Sequence, residues 1–115
     1  MEKGFDRELK RGTLEMILLK LLSEHRMYGY ELITTLEKRG GAPFQLKEGT
    51  IYPVLYRLEN AALIESTWEA LERGVPRKYY QLTQAGLDRL TELISDWSEF
   101  STAVSRIIST ESKNE

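Results

Sequence analysis

Apolar residues recur along this chain with two different periods, and the places where the period changes mark its elements. Leu14, Ile17, Leu18, Leu21 and Leu22 fall at i, i+3, i+4, i+7 and i+8, the spacing of one buried stripe on an α-helix. Thr13 stands just before that stripe and is of a type that caps helix N-termini. The pattern therefore predicts a first helix beginning at Thr13 and ending near His25. His25, Arg26 and Met27 read as a short turn into a second helix over residues 28–39, whose inward face is Leu32, Ile33 and Leu36. Gly40 and Gly41 stop it, because glycine takes the left-handed conformation at a helix end without penalty.

Residues 40–49, with Pro43, read as a loop. A third helix is expected from about Gly49 or Thr50 to about Ala61. At about 100° per residue, Ile51, Val54, Leu55 and Leu58 gather on one side, and Gly49, Tyr52, Pro53, Tyr56, Arg57 and Asn60 on the other. Proline is tolerated in the first turn of a helix, where a backbone nitrogen has no intrahelical partner. Pro53 therefore predicts a helix that begins late, with Thr50 at its start, either as its cap or in reach of a phosphate.

The period then shortens to two. Residues 63–70 and 77–83 alternate and carry Ile64, Thr67, Trp68, Tyr79, Tyr80 and Thr83, which suit strands. Leu71-Glu72-Arg73-Gly74-Val75-Pro76 between them is a turn by composition, so the pair reads as a β-hairpin. Helical spacing returns after Thr83, a second candidate cap, and continues to about Ser109. Leu87, Leu90, Ile94, Trp97, Ser101, Val104 and Ile108 step alternately by three and four, and Leu93, Phe100 and Ile107 run alongside. A helix of about 26 residues spans on the order of 40 Å, whereas a globule of this length has a radius of gyration of about 13 Å. The far half of this helix has no core of its own chain to cover it, so its seam is expected to pair with a second copy.

The expected fold class is mainly α with a small β-hairpin (α+β). Three helices and a hairpin are the parts of a winged helix-turn-helix, whose third helix enters a DNA groove. Residues 1–83 would form that domain, and residues 84–115 a long C-terminal dimerisation helix with a short tail.

Composition narrows the functions. With 115 residues, 41% apolar and 30% charged, the chain can build one core and stay in solution. It has no Cys, which excludes disulfides and thiolate chemistry, and one His, which excludes a His-based metal cage. No nucleophile–base pair or Gly-rich phosphate loop occurs, so neither an enzyme nor a cofactor or metal site is expected. The first residues are charged and the longest apolar run, Met16 to Leu19, is stopped by Lys20. That pattern predicts a cytoplasmic protein with no membrane partner.

The net charge of −2 argues at first against nucleic acid. Its distribution reverses that. Up to Thr83 there are 13 Lys+Arg against 12 Asp+Glu, and beyond it 3 against 6. Arg73-Gly74-Val75-Pro76-Arg77-Lys78-Tyr79-Tyr80 carries three cations and no acid. Phosphate neutralisation needs only such a local cluster. The competing reading is a solvated turn on a winged-helix module that binds proteins and not DNA.

Four runs of residues add a resemblance. Gly12-Thr13-Leu14-Glu15, Tyr28-Gly29-Tyr30-Glu31-Leu32, Glu48-Gly49-Thr50-Ile51-Tyr52-Pro53 and Arg77-Lys78-Tyr79-Tyr80-Gln81-Leu82-Thr83, with Ala85-Gly86 after the last, stand in an order and spacing that resembles the PadR-type transcriptional regulators. The resemblance covers roughly Arg11 to Gly86 closely and the last helix in kind. It implies a homodimeric winged-helix regulator, usually a repressor, released from a double-stranded DNA operator by a small aromatic or hydrophobic effector or another cue. Lys47, Thr50, Tyr52, Tyr56 and Arg57 would then read the groove, with Arg77 and Lys78 on phosphates.

Two positions depart from the family pattern. Ala62 stands where a helix-stopping Gly is frequent, so Asn60 is expected to supply the left-handed stop. Val75-Pro76 replaces the more usual Gly and Arg at the wing tip. Of the remaining candidates, Tyr28 and Tyr30 are expected as buried tyrosines bonding across a helix pair, with DNA contact as their second reading. Glu31 reads as a helix-surface or ion-paired acid. Leu87, Leu90, Ile94, Trp97, Phe100, Val104 and Ile108 are the dimer residues, and Trp97 with Phe100 is either dimer core or a flat platform for an effector.

Overall fold

The structure, a computed structural model, describes residues 7–109. Four of the five residues of the first apolar stripe, Leu14, Leu18, Leu21 and Leu22, are buried in the core from helix α1 (Arg7–Glu24) and joined there by Leu19, while Ile17 is half-buried against it. The helix begins a turn and a half before Thr13, which lies inside it and is not its cap. Arg7-Glu8-Leu9-Lys10-Arg11 are good helix formers and extend it toward the N-terminus.

Where a turn was expected, Met27–Tyr28 forms a two-residue strand, β1. Two residues are too few to show a period. Helix α2 (Gly29–Gly40) follows and ends at Gly41, whose φ of 74° is left-handed and whose N–H donates to the Glu37 carbonyl at 2.9 Å. Ala42–Phe44 makes one 3₁₀ turn inside the predicted loop.

Helix α3 (Glu48–Asn60) starts one residue before the expected Gly49, which puts Pro53 beyond its first turn. Pro53 is its sixth residue and sits inside the helix. Only the Gly49 carbonyl loses a partner by this, and Gly49 is exposed, so water can take the bond. Ile51, Val54, Leu55 and Leu58 are buried, as the periodicity predicts. Beyond α3 it is Ala62 itself, at φ 62°, that takes the left-handed stop; Asn60 remains helical.

Strands β2 (Ile64–Glu69) and β3 (Arg77–Leu82) pair antiparallel from Ile64↔Leu82 to Glu69↔Arg77, and β1 adds to the other side of β3. The sheet order is β1-β3-β2, one strand more than the hairpin expected. Helix α4 (Gln84–Ile108) is capped as predicted: the Thr83 hydroxyl accepts the Gly86 N–H at 3.0 Å and donates to the Ala62 carbonyl at 2.8 Å. The Thr83 N–H reaches the Leu63 carbonyl at 3.1 Å. A side chain on Gly86 would land on that same carbonyl, so glycine is required where α4 leaves the sheet.

The core gathers Leu14, Leu18, Met27, Leu32, Leu36, Leu55, Leu58, Ile64 and Tyr80 between α1, α2, α3 and the sheet. Leu90 belongs to it too, 4% exposed, because the first turns of α4 lie against α1. Beyond Leu93 most residues of α4 are exposed, and the longest dimension is 66 Å with a radius of gyration of 16.9 Å. No helix among the described residues is long and apolar enough to cross a membrane.

Candidate nucleic-acid interface

Helix α3 is held by one face and open on the other. Opposite its buried stripe, Tyr56 and Arg57 are exposed and Tyr52 is partly so, with Lys47 and Thr50 exposed at the N-terminal end. Lys47 is the N-cap residue in extended backbone, and no side chain caps the helix. Thr50 lies in the first turn with its amide on the Lys47 carbonyl at 2.9 Å, so of its two expected roles the cap is absent. An open groove of about 450 Å³ lies between α2 and α3, lined by Tyr30, Ile33, Lys47, Glu48 and Gly49.

Tyr52 is the most constrained of the exposed residues. The position of a Cβ on Gly29 falls 2.6 Å from the Tyr52 Cζ, so the ring occupies the space that glycine leaves open. Two sequence motifs, Tyr-Gly-Tyr on α2 and Thr-Ile-Tyr-Pro on α3, are therefore two halves of one contact. Burial pushes the Tyr52 hydroxyl pKa up, and nearby Tyr80 and Glu48 act in the same direction.

The wing divides its residues between two faces, because successive strand residues point to opposite sides. Ser66, Trp68, Lys78 and Tyr80 share the face that looks toward α3. There Lys78 Nζ lies 3.7 Å from Glu59 Oε1 on α3 and 5.4 Å from the Tyr80 ring centre. Glu59 also accepts the Ser66 hydroxyl at 2.6 Å. Arg77 and Tyr79 share the other face with Tyr28 of β1. The Arg77 guanidinium carbon lies over the Tyr28 ring, 4.2 Å from its centre, Tyr28 meets Tyr79 edge-on at 5.4 Å, and the Arg26 guanidinium carbon lies 4.2 Å from the centre of the Tyr79 ring. Arg26 also pairs with Glu69 at 2.8 Å. Arg77 and Lys78, neighbours in sequence, thus have separate partners and point apart. At the tip, Gly74 is left-handed and Val75 is exposed. Among the described residues, Arg73 has no ion pair.

Tyr28 and Tyr30 depart from their expected burial. Tyr30 is 63% exposed, and Tyr28 is partly buried against the sheet instead of bonding across two helices. Glu31 turns back to accept the Tyr28 N–H at 3.4 Å, which helps to close the first turn of α2. The contribution of Arg26 went unseen in the sequence. Its signal is the i, i+2 spacing to Tyr28, meaningful only once β1 is known to be extended.

On α4, Leu87, Ile94, Trp97, Phe100 and Ile108 are exposed and Val104 is half-buried. Leu90, expected on that seam, faces its own core instead. Trp97 and Phe100 lie among the exposed positions, at 43% and 65%, and neither belongs to the core among the described residues.

The profile of the transcriptional regulator PadR-like family matches residues 18–92. An uncharacterised protein of Lysinibacillus sphaericus is 39% identical over 92 residues, 80% of this chain and 84% of that one. A transcriptional regulator of Mycobacterium tuberculosis is 31% identical over 86 residues, 75% of this chain and 77% of its own. Among solved structures, a PadR-like transcriptional regulator of Bacillus cereus superposes with a TM-score of 0.79 at 39% identity, over 90% of this chain and 99% of that chain. A transcriptional regulator of Clostridium thermocellum gives 0.82 at 26% identity, over 89% and 99%.

Proposed function

The chain belongs to the PadR-like family of transcriptional regulators, and we propose that it acts in the cytoplasm as a homodimer on a pseudo-palindromic DNA operator. It is a regulator and not an enzyme. Residues 1–83 read DNA, with α3 in the major groove and the basic wing on the flanking backbone. Residues 84–115 pair the two copies, while Leu90 ties α4 to the reading head. The dimer acts as a repressor, released when a small aromatic or hydrophobic effector binds at Trp97 and Phe100.

One observation carries this reading. Helix α3 is anchored by four buried side chains and presents Tyr52, Tyr56 and Arg57 outward, beside Lys47, Thr50 and the wing. Such a rigid, one-sided helix suits base-edge contact, which needs side chains held in register with the groove. The exposed apolar line on α4 supports pairing, since a single chain leaves it in water.

Selection of bound sites from random DNA duplexes, at two salt concentrations, tests the proposal. The expected product is a palindrome with half-site centres about 34 Å apart, one helical turn. A pool without enrichment contradicts it and favours a winged-helix module that binds proteins.

A further inference from the structure

Arg77 and Lys78 form one basic pair in sequence, yet their surroundings assign them different tasks. Lys78 is directed back at α3, where Glu59 takes its charge at 3.7 Å, and its stem runs past Tyr80. Arg77 has no carboxylate or hydrogen-bond acceptor among the described residues. Glu69 stands directly across the strand pair from it, but that carboxylate is engaged by Arg26 at 2.8 Å. Among the described residues, the partner found for the Arg77 guanidinium is the Tyr28 ring at 4.2 Å.

The chemistry of that contact matters. A ring stacked on a guanidinium engages its flat face and leaves the in-plane N–H donors free. Those donors match the two oxygens of a phosphate. The ring itself has little freedom. Tyr28 is paired to Tyr79 through the sheet and meets that residue's ring edge-on at 5.4 Å. Its N–H is taken by Glu31, and the next residue, Gly29, lies under Tyr52 of α3. The position of Arg77 is thereby referenced to the reading helix through a short chain of contacts.

We propose that Tyr28 is the positioning residue of the wing: its ring holds the Arg77 guanidinium flat so that the free edge meets a backbone phosphate, while Lys78 is a strut between wing and α3. This rests on the DNA-binding reading above, and the test separates the two. In the free protein, the Arg77 Hε proton resonance is shifted upfield by the ring in the wild type and in Tyr28→Phe, and returns to the ordinary position in Tyr28→Leu.

On a selected duplex, Tyr28→Phe binds like the wild type, and Tyr28→Leu and Arg77→Ala each weaken binding about fivefold or more. The Tyr28→Leu/Arg77→Ala double variant binds no worse than Arg77→Ala alone. Arg77→Ala lowers the salt slope by about 0.9 per protomer, and Lys78→Ala leaves it unchanged. Additive losses, Tyr28→Phe behaving like Tyr28→Leu, or an equal slope change for Lys78→Ala overturn the assignment. An unshifted Hε in the wild type overturns the ring contact whatever the DNA result. A shifted Hε in a protein with no DNA affinity overturns the phosphate role and the regulator reading together, and leaves the ring contact standing.

Discussion

The phenol of Tyr52 lies over the α-carbon of Gly29, in the space that any larger residue there would need. This contact joins the start of α2 to the open face of α3 and sets the direction of a side chain proposed to read DNA. Gly29→Ala is expected to cost about 1–3 kcal/mol, the usual range for forcing extra volume into a filled site. The same substitution in a Tyr52→Ala background should cost close to nothing, because the obstacle is gone. Denaturant unfolding of the four proteins checks this; equal costs with and without the ring would contradict the contact.

The helix stop after α3 carries strain that one substitution relieves. Ala62 holds a φ of 62°, which costs an L-residue about 1–2 kcal/mol. Ala62→Gly should stabilise the fold by about 0.5–1 kcal/mol, since the more flexible unfolded chain offsets part of the gain. Gly86→Ala should do the reverse and cost about 3 kcal/mol, because its Cβ meets the Leu63 carbonyl, a backbone atom with little room to move. Unfolding midpoints in urea decide both.

Two phenols should make stability fall at high pH. Burial raises the pKa of Tyr52 and of Tyr80, with Glu59 adding to the effect at Tyr80. The native state then keeps protons that the unfolded chain releases above its usual value of ~10. The contribution is fully present below that pH and is lost as pH rises through the native values. Unfolding measured between neutral pH and pH 11 should show the decline, and Tyr52→Phe should reduce it. At the acid end, the hydrogen bond from Arg39 holds the Glu24 carboxyl below its ordinary range. That stabilisation is present above the unfolded-state value and fades as pH falls through the native one, a dependence that Arg39→Ala should reduce, with Lys20 beside Glu24 keeping a part of it.

The α4 seam and the core can be told apart by mutation. Ile94 and Trp97 are exposed in the single chain, so Ile94→Asp or Trp97→Asp should leave the fold intact and dissociate the dimer. Each loses the burial of a large side chain, about 1.5–3 kcal/mol per copy. Leu90→Asp should unfold the reading head instead, because Leu90 lies in the core. Sedimentation and circular dichroism separate the outcomes. Quenching of Trp97 fluorescence by planar aromatic compounds in a Trp68→Phe background checks the effector site; no quenching there would remove it.

Much of this arrangement was legible in the sequence because periodicity reports burial directly. The buried face of α3 and the length of α4 follow from spacing, and the Thr83 cap from residue type, while Leu90, placed on the α4 seam by the same spacing, lies in the core. What stayed hidden depends on contacts between distant residues. A two-residue strand has no period, so β1 and the Arg26–Tyr79 and Tyr28–Arg77 stacks could not be seen. Pro53 suggested a late helix start because the rule for proline ignores that an exposed Gly49 carbonyl can turn to water. Ala62 took the left-handed stop against its own preference because Thr83 and Gly86 fix the turn from the other side. Arg77 and Lys78 looked like one cluster until strand alternation set them on opposite faces.

The proposed grip of a dimer on DNA through α3 and the wing is tested by the salt dependence of its affinity. Fluorescence anisotropy with a duplex from the selection should give two chains per site. The logarithm of the binding constant should fall linearly with the logarithm of salt concentration, with a slope of about −0.9 per phosphate contacted. Arg57→Ala should flatten the preference for that duplex over a scrambled one, while Arg77→Ala weakens both alike. No measurable binding to either duplex at low salt would contradict the account.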